Sequence, residues 1–265
     1  MKDYTPKIGL ALGAGGARGL AHVGVLKFLE KENIDIDIIA GTSMGSIIGG
    51  LYSAGIPLKY MEKIAEEIDW DTLTDVTFPR KGLIKGNKIL KFFEILTQNK
   101  TFSELNIPFS AIACDIEKGE QVVINKGSVA KAIRSSIAIP GIFVPYRHQE
   151  KMLVDGAVLD RVPVSTVRKM GADIIIAVDI RVKEVNNKID NIFDVLFNTF
   201  DMMQYEVQKL KETGADITIN PKLDNIDTLD LDNSNMCIDE GYQEAKKYKK
   251  EIDSILGRVN NEKTK

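Results

Sequence analysis

At 265 residues with 44% hydrophobic side chains, the chain is long enough to bury one large core. A formal net charge of −3 gives no electrostatic reason to expect a nucleic acid partner, and two cysteines, Cys114 and Cys237, do not make a disulfide framework. Met1 to Lys7 lack a signal-peptide core, and no uncharged apolar run nears the roughly 20 residues of a membrane span, so a soluble, cytoplasmic protein is expected.

The first apolar run, 8–12, predicts a strand that passes into Gly13-Ala14-Gly15-Gly16-Ala17-Arg18-Gly19 and then a helix over 19–31. Glycines permit positive φ and leave N–H groups uncovered, so such a loop can cradle an anion. The anion could be a nucleotide pyrophosphate, although Arg18 stands where the dinucleotide fingerprint needs its last glycine. It could equally be the oxyanion of an acyl-transfer intermediate. A second strand, 36–40, leads into Gly41-Thr42-Ser43-Met44-Gly45 and a helix over 44–54. A serine between glycines at a strand-to-helix turn is held in a strained conformation, with its oxygen exposed above the sheet. Such a serine needs an oxyanion hole, and a dinucleotide site needs no such serine, so one acyl-transfer reading accounts for both loops.

Helix 58–67 follows, then an irregular excursion over 69–86 that reads as an access loop or a surface connection. Helix 88–96, a capping box at Thr101 to Glu104, strands 109–114 and 121–124, and helix 129–136 come next. Strand 152–154, helix 163–169 and strand 174–178 continue the alternation, and 189–212, 217–219 and 240–256 predict a helix, a strand and a last helix. This rhythm predicts an α/β fold, a mostly parallel central sheet with helices on both faces, in a single domain. The broad apolar surface of 189–212 is expected to bury against the sheet, with a dimer contact or a lipid surface as the other uses. Asp224, Asp227, Asp230 and Asp232 lack the spacing and glycine of a calcium loop and read as solvated, as do Lys246, Lys247, Lys249 and Lys250.

A serine hydroxyl needs a base. The two histidines, His22 and His148, fit poorly: His22 lies on the glycine-loop helix with a structural reading, and residues 146–151 read as an exposed polar turn. Asp115, Asp155 and Asp179 each end an apolar run, where strand ends deliver residues to a site. An aspartate near pKa 3.9 is a weak base at neutral pH, and burial would raise it. Asp155, followed by Gly156-Ala157, leads its two rivals without displacing them.

Four segments in this order resemble the patatin-like phospholipase family, in its bacterial cytosolic branch: the glycine loop ending Arg18-Gly19, Gly41-Thr42-Ser43-Met44-Gly45, the stretch 136–145 and Asp155-Gly156-Ala157. The resemblance covers residues 8–180 as the catalytic core, leaving 181–258 as a C-terminal extension and 259–265 as a frayed tail. It implies a patatin-like (FabD/lysophospholipase-like) fold and a Ser-Asp dyad with no catalytic histidine. Carried over, Ser43 is the nucleophile, Asp155 the base, and Gly15, Gly16 and Arg18 the oxyanion hole. The implied activity is hydrolysis of carboxyl esters of phospholipids, lysophospholipids or related lipids through an acyl-enzyme, without cofactor or metal and with transient membrane-surface contact. A non-catalytic lipid-binding or regulatory protein on the same fold is the alternative. Ala14 departs from the family's loop, which usually has glycine there; this matters only if the position needs positive φ.

Overall fold

A computed structural model describes residues 6–78, 81–180, 189, 192–209, 214–226 and 233–262. Among them, eight strands form one sheet: β1 (Ile8–Leu12), β2 (Ile38–Thr42), β3 (Phe109–Asp115), β4 (Glu120–Ile124), β5 (Tyr146–His148), β6 (Lys151–Asp155), β7 (Ile174–Val178) and β8 (Ile217–Ile219). The order is β5-β6-β3-β2-β1-β7-β8, with β4 also paired to β3. The five strands from β3 to β8 in that order are parallel, while β4, β5 and β6 add antiparallel pairs at one end.

The helices are α1 (Ala21–Lys31), α2 (Met44–Ser53), α3 (Leu58–Glu67), α4 (Asn87–Leu96), α5 (Val129–Ser136), α6 (Val164–Lys169), α7 (Ile192–Lys209), α8 (Ser234–Lys247) and α9 (Lys249–Glu262). They cover the two sheet faces unequally. Leu10, Leu12, Ile39, Ile176 and Val178 point into the larger core beneath α1, α2 and α8, whereas Ala11, Ala40, Ile175 and Ala177 meet Val164 and Val167 of α6. Continuous apolar strands without polar alternation are what a sheet covered on both sides requires. On the α6 side Ala11, Ala40 and Ala177 keep the strand surface low beside Ile38 and Ile175, and a side chain at Gly9 would collide with Val167 and Ala172.

Several sequence expectations shift. β2 runs on through Gly41 and Thr42, because its pairing with β3 continues up to the serine. Residues 146–148, read as a turn, form β5; the strand is polar because it closes the sheet's edge. The helix expected over 240–256 begins earlier, at Ser234, and breaks at Tyr248 into α8 and α9. The excursion 69–86 is pinned at its base: Ile84 bridges Val76 and Phe143, and the Asp75 carboxylate accepts the Gly86 and Asn87 N–H groups. Arg134 of α5 donates to the Lys85, Gly86 and Val144 carbonyls and lies over the Phe143 and Tyr146 rings. Pro79, Arg80, residues 210–212, Asp227, Asp230, Asp232 and residues 263–265 lie outside the described residues. No helix among the described residues is long and apolar enough to cross a membrane.

Candidate active site

The register around β3 places two strand ends side by side. Opposite one edge of β3, Thr42, the last residue of β2, faces Ile112. Opposite the next position, Ala113, stands Asp155, the last residue of β6. The other edge of β3 is occupied by β4, so β2 and β6 share one edge and meet tip to tip. β6 therefore arrives antiparallel, from beyond the end of β2, and stops where the Gly41–Gly45 turn begins.

Ser43 follows Thr42 with φ 54° and ψ −123°, a strained conformation for a residue with a side chain. Its neighbours permit the turn: a Cβ at Gly41 would strike the Gly45 carbonyl, and one at Gly45 would strike Leu12. Ser43 then caps α2, whose third residue returns both its N–H and its hydroxyl to the Ser43 carbonyl (Ser46 N 2.8 Å, Oγ 2.7 Å).

One hydroxyl repairs the gap between the two strand tips. Ser136, at the end of α5 and wholly buried, donates to the Ile112 carbonyl at 2.5 Å and accepts the Ser43 N–H at 3.0 Å. It replaces the ladder bond lost where β2 turns away. Two residues on, the Ala138 carbonyl accepts the Asp155 N–H at 2.9 Å. Residues 136–138 thus bracket the backbones of Ser43 and Asp155 together. The stretch 136–145 was expected to shape the sheet edge; this hydroxyl's double duty is not legible without the register. Ser136→Ala should lower kcat roughly 10- to 100-fold with little change in KM, since it orphans two buried groups at about 1–3 kcal/mol each. Steady-state kinetics over pH checks it: looser Ser43–Asp155 bonding raises the pH midpoint, and Ser136→Thr, which keeps the hydroxyl, restores it in part.

Asp155 is buried, and burial pushes its carboxyl up to about 7, against the lowering effects of the Ala157 N–H (2.9 Å), a hydrogen bond from the Ser43 side chain, and Arg161; Asp201 adds to the rise. Burial can do this because an unpaired carboxylate loses its hydration. The other two aspartates sit elsewhere. Asp115 lies two positions past Ala113 on β3 and accepts the Glu117 N–H, and Asp179, at the end of β7, faces Arg161 at 4.0 Å.

The glycine loop reaches the same place. Ala14, Gly15, Gly16, Ser43, Asp155 and Arg161 line one small cavity. Gly16 has φ 54°, and a side chain at Gly15 would press on Ile180 at 2.6 Å. Gly13 N and Ala14 N donate to Val178 and Arg161, while no backbone bond among the described residues uses the N–H of Gly15 or Gly16. Ala14 does not have positive φ, so alanine costs nothing there. Arg18 turns its buried side chain away from the cavity, donating to the Ile226 carbonyl at 2.5 Å and facing Asp201 at 3.9 Å. His22 holds the loop from below: its Nε2 meets the Gly13 carbonyl at 2.7 Å. A carbonyl only accepts, so that nitrogen carries the proton. Burial lowers the ring's pKa to about 4, leaving a neutral imidazole committed to the loop.

The cavity is roofed by α7, through Phe200, Asp201 and Gln204. Sequence reasoning missed this, expecting the helix to bury against the sheet. It lies instead across the strand ends, held by Arg161, which donates to Gln204 (2.5 Å) and the Ile180 carbonyl (2.7 Å) and faces Asp201 at 3.8 Å. Arg161 itself escaped notice in the sequence because nothing in its neighbourhood announces a buried cation.

The family described as "Patatin-like phospholipase" matches residues 10–168. An uncharacterized NTE family protein of Mycobacterium tuberculosis is 37% identical over 183 residues, 68% of this chain and 51% of its own. Lysophospholipase NTE1 of Saccharomyces cerevisiae is 28% identical, over 84% of this chain but 15% of its own. The chain thus spans about half the length of the mycobacterial relative and far less of the fungal one. In fold it resembles VipD from Legionella pneumophila, with TM-score 0.65 and 13% identity, over 92% of this chain and 66% of that one. With the family model matching residues 10–168, a span that holds the glycine loop, Ser43 and Asp155, the chain belongs to the patatin-like phospholipase family.

Proposed function

We propose that the protein hydrolyses carboxyl esters of lipids, with Ser43 as nucleophile and Asp155 as its base. The observation that carries this is the meeting of the two strand tips on one edge of β3, with the Ser43 side chain bonded to a buried carboxyl poised near neutrality. Ionised Asp155 takes the Ser43 proton as the oxygen attacks the acyl carbonyl. The Gly15 and Gly16 amides receive the oxyanion, with Arg18 and His22 anchoring the loop that presents them. Protonated Asp155 then gives its proton to the leaving alcohol. In the second half, water loses a proton to the same carboxylate, attacks the acyl-enzyme and frees the fatty acid. The fungal relative's name makes lysophospholipids the first substrates to try. Cys114 and Cys237 are buried and not disulfide-bonded, which fits a reducing compartment such as the cytoplasm. The described residues beyond 180 read as part of the same unit, because β8 extends the sheet and α8 packs on α1.

Fatty-acid release from phospholipids, lysophospholipids and soluble acyl esters tests the proposal, with Ser43→Ala beside the native chain. Native release that vanishes in Ser43→Ala is expected; no release from any ester by folded protein would favour the lipid-binding alternative. A second test uses pH. With a base titrating near 7, kcat/KM should rise about tenfold per unit below that value and level off above it. A profile flat from pH 5 to 9 would count against Asp155.

A further inference from the structure

Two spaces flank the start of α2. The cavity over Ser43 measures about 20 Å³, room for about one water and too little for an acyl tail. On the far side of Met44 a second cavity, about 30 Å³, lies between α2, α3 and α4. One stripe of α2, made by Met44, Ile47, Ile48 and Leu51, lines it along most of the helix. Met61 and Ala65 of α3 and Phe93 and Leu96 of α4 close the other sides. Among the described residues around this space, no side chain carries a nitrogen or an oxygen. Water gains nothing there, whereas an alkyl chain gives up nothing by entering.

Both ends of the cavity can give. At the inner end Met44 packs over Gly19, where a Cβ would stand 2.5 Å from the Met44 Cγ. The missing side chain leaves an unbranched, adaptable thioether room to swing. At the outer end the half-buried Ile64 and Phe92 line the cavity and also a surface groove of about 270 Å³. That groove continues past Tyr60 and Ile68, and the exposed Lys63–Glu67 ion pair marks its water side. Cavity and groove make one path from the residue after Ser43 to the surface, divided at Ile64 and Phe92.

We propose that this path is the acyl-chain site: the ester's tail passes Met44, runs along α2 and emerges between Ile64 and Phe92. Continuity and chemistry fix the occupant. The path begins one residue from the hydroxyl that would carry the acyl group, and its narrow apolar inner part suits an unbranched alkyl tail and excludes a charged head group. From Met44 to Leu51 the helix rises about 10 Å, the length of roughly eight extended carbons. Tails of that size fill the inner part, and longer ones need the gap between Ile64 and Phe92.

The assignment rests on the ester-hydrolase reading of Ser43, and the experiment separates the two. With soluble esters of unbranched acids from four to eight carbons, kcat/KM should rise roughly three- to fourfold per methylene buried. Ala65→Leu, which fills the inner cavity, should lose at least tenfold on the octanoyl ester and stay within twofold of native on the butanoyl ester, with an unchanged circular dichroism spectrum. Ile64→Trp, at a half-buried position, should keep the octanoyl rate within twofold and lose at least tenfold on hexadecanoyl lysophosphatidylcholine. By calorimetry, dodecanoate should bind Ser43→Ala protein saturably, and at least tenfold more weakly once Ala65→Leu is added. A folded Ala65→Leu protein with native chain-length profile and native dodecanoate affinity overturns the inference. So does a flat native profile whose hydrolysis still vanishes in Ser43→Ala, and the hydrolase reading then stands. Dodecanoate binding that weakens in Ala65→Leu, without hydrolysis of any ester, sinks the hydrolase reading and leaves the chain site standing.

Discussion

Asp155→Asn is expected to slow ester hydrolysis about a thousand-fold or more, and yet to melt higher than the native protein above pH 7. The carboxyl's folded pKa, about 7, lies above its ordinary 3.8. Between those values the folded state holds a proton that the unfolded state has released, so stability falls as pH rises through that window. Above pH 7 the full cost is present, at most about 4 kcal/mol for some three units at 1.36 kcal/mol each. Below about pH 4 both states are protonated and the cost vanishes. Asparagine keeps an oxygen for the Ala157 N–H and carries no charge. Allowing half the limit for imperfect replacement, the variant gains about 2 kcal/mol at pH 8, or roughly 4–8 °C, and nothing at pH 4. Thermal melts of both proteins across pH 4 to 8 decide it; a variant that is less stable at pH 8 would mean the carboxylate is favourably paired in the fold. In its proposed role as base, a carboxyl poised near neutrality is what the reaction asks for.

The second large effect lies where α1 crosses α8. A Cβ at Gly24 would overlap the Ile238 carbonyl and crowd the Tyr242 N–H, and one at Gly241 would overlap the Ala21 carbonyl. Two helix backbones touch here, so no rotamer change relieves the overlap and a helix must shift. Gly24→Val should therefore cost about 3 kcal/mol or more, despite valine's better helix propensity, and lower the melting temperature by roughly 6–12 °C. Because α1 carries His22, the post under the glycine loop, the shift should also reduce kcat. Equal melting of variant and native would show that the two helices do not approach as described.

What was legible in the sequence was local. Strand-then-glycine patterns marked both loops, since a tight turn leaves its chemistry in consecutive residues. The apolar run 174–178 announced a doubly covered strand. Ser136 and Arg161 left no trace of that sort. Each works through partners 24 to 93 or 19 to 43 residues away, and a serine or arginine looks the same in sequence whether it faces water or a buried carbonyl. For α7, periodicity showed a helix with an apolar side, but an apolar side carries no sign that says inward. In sequence Asp155 is one of three aspartates that each end an apolar run; the antiparallel course of β6, which sets Asp155 beside the end of β2, is written in no local pattern. The family resemblance also points to Asp155, and the register sets its strand end beside the end of β2 that carries Ser43.

The placing of β1 has a consequence for how the protein is made. This first strand lies in the interior of the sheet, between β2 and β7, and its second neighbour begins at Ile174. At roughly 5–20 residues per second, a ribosome needs on the order of ten to thirty seconds to extend the chain from β1 to β7. Throughout that interval the nascent chain holds a fully apolar strand with one open edge, the kind of surface that pairs with neighbouring nascent chains. Slowing translation between β6 and β7, or depleting holdase chaperones, should therefore lower the soluble yield far more than it lowers the stability of molecules that finish folding.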